Sequence, residues 1–201
     1  MSVEAKDVVL VSLSDDEIRE AILFAEKISK HIVDRKDLHN RDGLERFINI
    51  LTGEIAEKMV LRWFADNNKY AQSAIDKDAD TPDSGHDIWL RDLKNNPIQA
   101  SVKSSISVLK NSSQDILNTF TLASKPSELK EINIQVYFWL DPFTKPRISV
   151  PSLRGAGIFA WASKEDFVEN SFSSYPGEKR LAPNSKLCSL RPMATLLGSV
   201  T

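Results

Sequence analysis

Two periods of apolar spacing divide this chain: helical spacing before about residue 66 and strand-like spacing after about residue 85. Ser14-Asp15-Asp16-Glu17 has the form of a capping box, in which a serine hydroxyl and a glutamate three residues on satisfy each other's backbone donors. A helix is therefore predicted from 14 to about 33, followed by a charged connector over 34–41. A second helix is predicted from 42 to about 65, interrupted only by Gly53, with Asn67 and Asn68 as its stop. Residues 71–85 are rich in Asp, Ser and Pro and read as a polar loop. Residues 86–93 and 98–104 read as strands joined by the turn Lys94-Asn95-Asn96-Pro97. In the second strand Ile98, Ala100 and Val102 share one face, and Gln99, Ser101 and Lys103 share the other. A helix is expected over 113–123, before Pro126. The apolar run 132–140 predicts a strand buried on both faces. Pro142, Pro146 and Pro151 make the next stretch a loop with short extended pieces. A strand is expected over 157–162, then a helix capped by Ser163 and running to about 170. The tail, 171–201, contains Pro176, Pro183 and Pro192 and reads as loop-rich. The order of elements implies one α/β domain, a mixed central sheet flanked by helices.

The length, 201 residues, suits one well-cored domain, and 41% hydrophobic with 27% charged residues is ordinary for a globular chain. No apolar run approaches the roughly 18 residues that span a bilayer. Residues 1–6 lack the basic-then-apolar pattern of a secretory signal, and Cys188 has no second cysteine to pair with. These features imply a reducing, cytoplasmic setting and no membrane partner. One cysteine with three scattered histidines, His31, His39 and His86, argues against a conventional zinc site. The net charge is -2, but from Thr144 onward eight basic residues face four acidic ones. Such asymmetry can steer a polyanion to one face, and it equally suits a solvated surface of uneven charge. No phosphate-binding loop or dinucleotide fingerprint occurs, so no nucleotide cofactor is expected. Ser84 and Ser101 lack the setting of a serine nucleophile.

The chemistry is concentrated in Gly85-His86-Asp87-Ile88 and Gln99-Ala100-Ser101-Val102-Lys103. An acidic residue opens one strand of a hairpin and a lysine sits late in the other, on its polar face. Pairing around Asn95-Asn96 would bring Asp87 and Lys103 together. That pair suits phosphodiester hydrolysis: a carboxylate can hold Mg²⁺, a hard cation preferring oxygen, and a lysine can orient water or offset developing charge. Further carboxylates are available on the second helix. Glu54 shares an arc with Phe47, Ile50 and Leu61, and Glu57 lies one turn on. A carboxylate on an apolar face needs a partner: either a metal, or an ion pair with Lys58 or Arg62. His86 adjoins Asp87 but reads as a loop histidine. Trp89, Trp139 and Trp161 read as core, and Trp63 near a helix end is a possible stacking surface. Lys179, Arg180, Lys186 and Arg191 are possible phosphate contacts.

A glutamate-bearing helix, an aspartate heading a hairpin and a lysine closing it resemble the PD-(D/E)XK nuclease superfamily. Thr52-Gly53-Glu54-Ile55-Ala56-Glu57 resembles its first core helix, Gly85-His86-Asp87-Ile88 its metal-binding aspartate, and Val102-Lys103 the end of its signature. The resemblance covers about residues 44–105, with 132–140 as the next core strand. It implies a restriction-endonuclease-like fold, with helices at 14–66, a catalytic core at about 42–170 and the basic tail at 171–201. It also implies an Mg²⁺-dependent endodeoxyribonuclease, Mn²⁺ substituting, of the type II restriction kind, acting on double-stranded DNA as a homodimer. Asp87, Glu54 and Glu57 would hold metal, and Lys103 would act on the attacking water. One departure stands out: Ser101 replaces the usual acidic residue two positions before the lysine. Glu54, Glu57 or Asp115 could supply the missing carboxylate, and Gln99 an oxygen. Alternatively the site is degenerate and the domain only binds. Asp83, in the literal Pro-Asp pair, competes with Asp87, which is preferred because it opens the strand.

Overall fold

The structure, a computed structural model, describes residues 2–30, 42–76, 86–107, 110, 112–139, 156–172, 180–183 and 185–201, with the backbone alone at 168–172 and 180. Asp83, Ser84, His31, His39 and the Lys179 and Arg180 side chains lie outside the described residues.

Helix α1 spans Asp15–Ser29, and its N-terminus is the expected capping box, with the Ser14 hydroxyl accepting from the Glu17 N–H and Glu17 accepting from the Ser14 N–H. Helix α2 spans Gly43–Asp66, capped by the Asp42 carboxylate on the Glu45 N–H. It ends where Asn68 turns left-handed (φ 54°), letting the Lys69 N–H reach back to the Phe64 carbonyl at 2.9 Å. Ten of its residues are buried, because α1 covers one side and the sheet the other.

Beyond α2 the chain is organised by one six-stranded sheet, in the order β1-β6-β5-β4-β3-β2. These strands are β1 (Val9–Val11), β2 (Ala71–Ser73), β3 (Ile88–Arg91), β4 (Pro97–Ser107), β5 (Ile132–Trp139) and β6 (Ala156–Ser163). Only β4 and β5 run parallel, linked through helix α3 (Ser113–Thr119); every other neighbouring pair is antiparallel. The sheet is thus mixed, as expected. Among the described residues, no helix is long and apolar enough to cross a membrane.

Strand β5 is buried on both faces, from Ile132 through Phe138. Ile134, Val136 and Phe138 join the core beneath α1 and α2, whereas Tyr137 packs on the other side with Ile116, Leu117 and Leu122. A bulge keeps β6 in step with this arrangement. Gln135 faces Ala160 and Val136 faces Ile158, so Phe159 has no partner and turns toward Tyr137, ring edge to face at 5.6 Å.

Three expectations are corrected. Residues 163–170 are not a helix: the Ser163 cap closes a single 3₁₀ turn, Lys164–Asp166, and β7 (Phe167–Phe172) follows, paired with β8 (Arg180–Pro183). The Asp166 carboxylate accepts from the Ser163 N–H and hydroxyl, which satisfies the turn locally. The loop expected over 71–85 contains strand β2. The tail is more than loop, since Leu187, Leu190, Met193, Leu196 and Val200 are buried, Met193 and Leu196 on the short helix α4 (Met193–Leu196).

Candidate active site

The hairpin is built as its turn chemistry predicts. Ile88 faces Ala100 and Arg91 faces Pro97. The Asp92 carboxylate accepts from the N–H groups of Lys94 and Asn96 at 2.8 and 2.7 Å, and Asn95 takes a positive φ of 66°. The Asn96 side-chain amide, then its N–H, holds the Asp92 carboxyl below its ordinary range.

Asp87 stands just outside this ladder. Its N–H donates to the Ala100 carbonyl at 3.1 Å and its own carbonyl accepts from the Ala74 N–H at 2.9 Å, so the backbone is tied to β4 on one side and to the end of β2 on the other. Val102 lies past the last β3–β4 pair, and the Asp87 carboxylate takes its N–H at 2.6 Å. The same oxygen accepts the Ser101 hydroxyl at 3.1 Å. Ser101 is thus joined to Asp87 from the position where an acidic residue was expected.

Gln99, Ser101 and Lys103 point to the face opposite Ala100 and Val102, as alternation requires. Lys103 sits opposite Gln135 of β5, whose amide donates to the Lys103 carbonyl at 3.1 Å. The Lys103 ammonium lies 2.8 Å from the Glu128 carboxylate. Glu128 ends the 3₁₀ turn Pro126–Glu128, which leads into β5. Sequence reasoning overlooked it. The available signal was Pro126, which starts helical turns and placed an acidic residue two positions on, just before a buried strand.

Glu54 and Glu57 are buried on α2, at 5% and 4% exposure. The Glu54 carboxylate is 4.0 Å from the Lys58 ammonium, which also reaches Glu20 of α1 at 3.0 Å. Arg62 instead pairs with Glu17. Asp115 serves as part of the α3 cap, accepting the Ser112 hydroxyl at 2.8 Å. Among the described residues, no group of three or more His, Cys, Asp or Glu side chains could hold a metal ion.

The other candidates are in structural roles. His86 lies in the loop just before β3, as expected, and is buried with its ring edge on Trp89 at 4.2 Å. Trp63 is buried against Phe64, so it offers no stacking surface. Trp161 is core as expected, whereas Trp89 and Trp139 are half-buried. Arg191 forms a two-point pair with Asp166 and lies over the Trp161 ring at 4.7 Å.

No protein-family model matches this chain, and no curated protein or solved structure is similar to it.

Proposed function

We propose that this protein is a metal-dependent endodeoxyribonuclease of the PD-(D/E)XK type, most like a type II restriction endonuclease. One observation carries the proposal: Asp87, at the head of β3, is bonded to Ser101 on β4, two residues before Lys103 on the same face. The surrounding order also supports a restriction-endonuclease-like fold, since a glutamate-bearing helix precedes the hairpin, and a helix crossover leads to a parallel strand beside Lys103.

Mg²⁺ fits the donors present. It is commonly bound by one or two carboxylates together with waters and substrate phosphates. Asp87 is the residue that would hold it, with Glu128 the carboxylate nearest Lys103; Glu54 and Glu57, expected to join it, belong to α2, which packs against the Ala100 and Val102 face of the sheet, opposite Lys103. When bound, the metal supplies an activated water and offsets charge on the phosphate. Lys103 presents an ammonium toward the same face. There it can orient a nucleophilic water or stabilise a phosphorane-like oxygen. Glu128 holds that ammonium in place. Double-stranded DNA is the proposed substrate, and a homodimer would match its two-fold symmetry.

A binding module without catalysis is the second reading. It is favoured by Ser101 and by the bonds already made: Glu128 neutralises Lys103, and one Asp87 oxygen is taken by Ser101 and Val102. Supercoiled plasmid incubated with Mg²⁺ or with chelator separates the two. Cutting that needs Mg²⁺ and is lost in folded Lys103→Ala supports the nuclease. A folded wild type that leaves plasmids of varied sequence and methylation intact sinks it.

A further inference from the structure

The polar face of β4 continues past Lys103 into a cleft of about 270 Å³. Its lining includes Lys103, Ser105, Phe120, Gln135, Tyr137 and Lys186. Among the described residues, the charged groups in that lining are two ammoniums. Lys103 is offset by Glu128. Lys186 is exposed and gives one hydrogen bond to the Thr119 carbonyl at 2.7 Å; among the described residues no carboxylate pairs with it. An ammonium has three donors, so two remain.

Lys186 is also held firmly. The Thr121 hydroxyl donates to the Ser185 carbonyl at 2.9 Å, and the Leu187 N–H donates to the Phe120 carbonyl at 2.9 Å. The residues on either side of Lys186 are therefore bolted to the wall of the cleft. Opposite, the Tyr137 hydroxyl is paired with Ser105, and burial keeps it protonated up to about pH 12. The Phe120 ring stacks on Tyr137 at 5.1 Å. Two ammoniums beside an aromatic wall in one groove are the chemistry that binds a nucleic-acid strand.

We propose that this cleft seats a backbone phosphate of the bound strand, beside the one at Lys103, with Lys186 as its cation. The inference rests on the nuclease reading for the identity of the strand and goes beyond it in assigning Lys186 and the cleft.

The test is binding of a fluorescent duplex oligodeoxynucleotide in chelator, with potassium chloride titrated. Folded Lys186→Gln should weaken binding of every sequence alike and lower the salt slope by about 1, and Lys186→Arg should restore both. As a check needing no variant, acylation of Lys186 in the wild type should slow several-fold when duplex is added. Wild-type affinity and slope in folded Lys186→Gln, or undiminished Lys186 labelling, would overturn the assignment. So would protection by inorganic phosphate or a mononucleotide at lower concentration than by duplex, which would make the cleft a site for a free phosphate. A protein that never cuts but binds DNA through Lys186 loses the nuclease reading and keeps the cleft. One that cuts while Lys186→Gln binds normally does the reverse.

Discussion

Replacing Asp87 by alanine removes the acceptor of two hydrogen bonds, from the Val102 N–H at 2.6 Å and from the Ser101 hydroxyl at 3.1 Å. Bonds to a charged group contribute about 1.5–3 kcal/mol each, and a donor left unsatisfied in a part-buried place costs on that scale. Removing the carboxylate also removes its desolvation cost, so a net loss of about 3 kcal/mol is expected for Asp87→Ala. Asp87→Asn keeps a carbonyl oxygen of the same reach and should lose about 1 kcal/mol or less. With a denaturation slope of about 2 kcal/mol per molar urea, the alanine midpoint should fall by about 1.5 M and the asparagine midpoint by about 0.5 M or less. Cleavage should be lost in both, because an amide oxygen is a poor ligand for Mg²⁺. The pair of variants therefore separates the carboxylate's role as a strap from the metal-ligand role proposed for it. An alanine variant with the wild-type midpoint would refute the strap, and an asparagine variant that cuts at the wild-type rate would refute the ligand.

Other consequences are equally concrete. A Cβ at Gly157 would sit 2.6 Å from Val8 Cγ1 and 2.8 Å from Phe159 Cε2, so Gly157→Ala should cost about 2 kcal/mol and lower Tm by about 4–8 °C in calorimetry; an unchanged Tm would mean the bulge shifts freely. Burial raises the Tyr137 phenol from 10.0 to about 12, so the unfolded chain ionises first and stability falls between those pH values, by about 2–3 kcal/mol. From pH 9 to pH 11.5 the wild type should lose about 2 kcal/mol of stability relative to Tyr137→Phe in urea titrations, and parallel curves would contradict the assignment. Burial works to raise the Glu17 carboxyl, but the Ser14 N–H, the Ser14 hydroxyl and Arg62 outweigh it and hold the group below its ordinary 4.5. That stabilisation is present above 4.5 and lost as pH falls through the lower folded value, so Glu17→Gln should be less stable than wild type at pH 7 and no less stable at pH 2.

What was legible in the sequence was whatever a local signal specifies. Ser14 with Glu17 and the Asn67-Asn68 stop each fix a helix end through bonds within a few residues. The continuous apolar run from Ile132 announced a strand covered on both sides. That Asp87 stands beside Ser101, with Lys103 two residues on along the same strand face, was legible because strand alternation and one tight turn are enough to place them. Short elements that exist only through distant partners were not. Val9–Val11 is a strand because Ala156–Ile158 lies beside it, and Ala71–Ser73 because Ile88–Leu90 does. Ser163 shows the opposite failure: its cap is real, but a cap starts a turn without deciding how far it runs, and Phe167 onward favours pairing with β8. Glu128 escaped notice because its contact with Lys103 spans 25 residues and depends on the β4–β5 register.

The place of β1 at the rim of the sheet has a temporal consequence. Val9 lies opposite Ile158, about 150 residues later in the chain. At about 5–20 residues per second, a ribosome needs about 8–30 s between making one and making the other. Through that interval Val9-Leu10-Val11 has no strand to join, and Leu10 stays 70% exposed even in the finished fold. The first strand made is among the last to be paired, so the period in which nascent copies can mispair is set by the speed of translation rather than by the speed of folding.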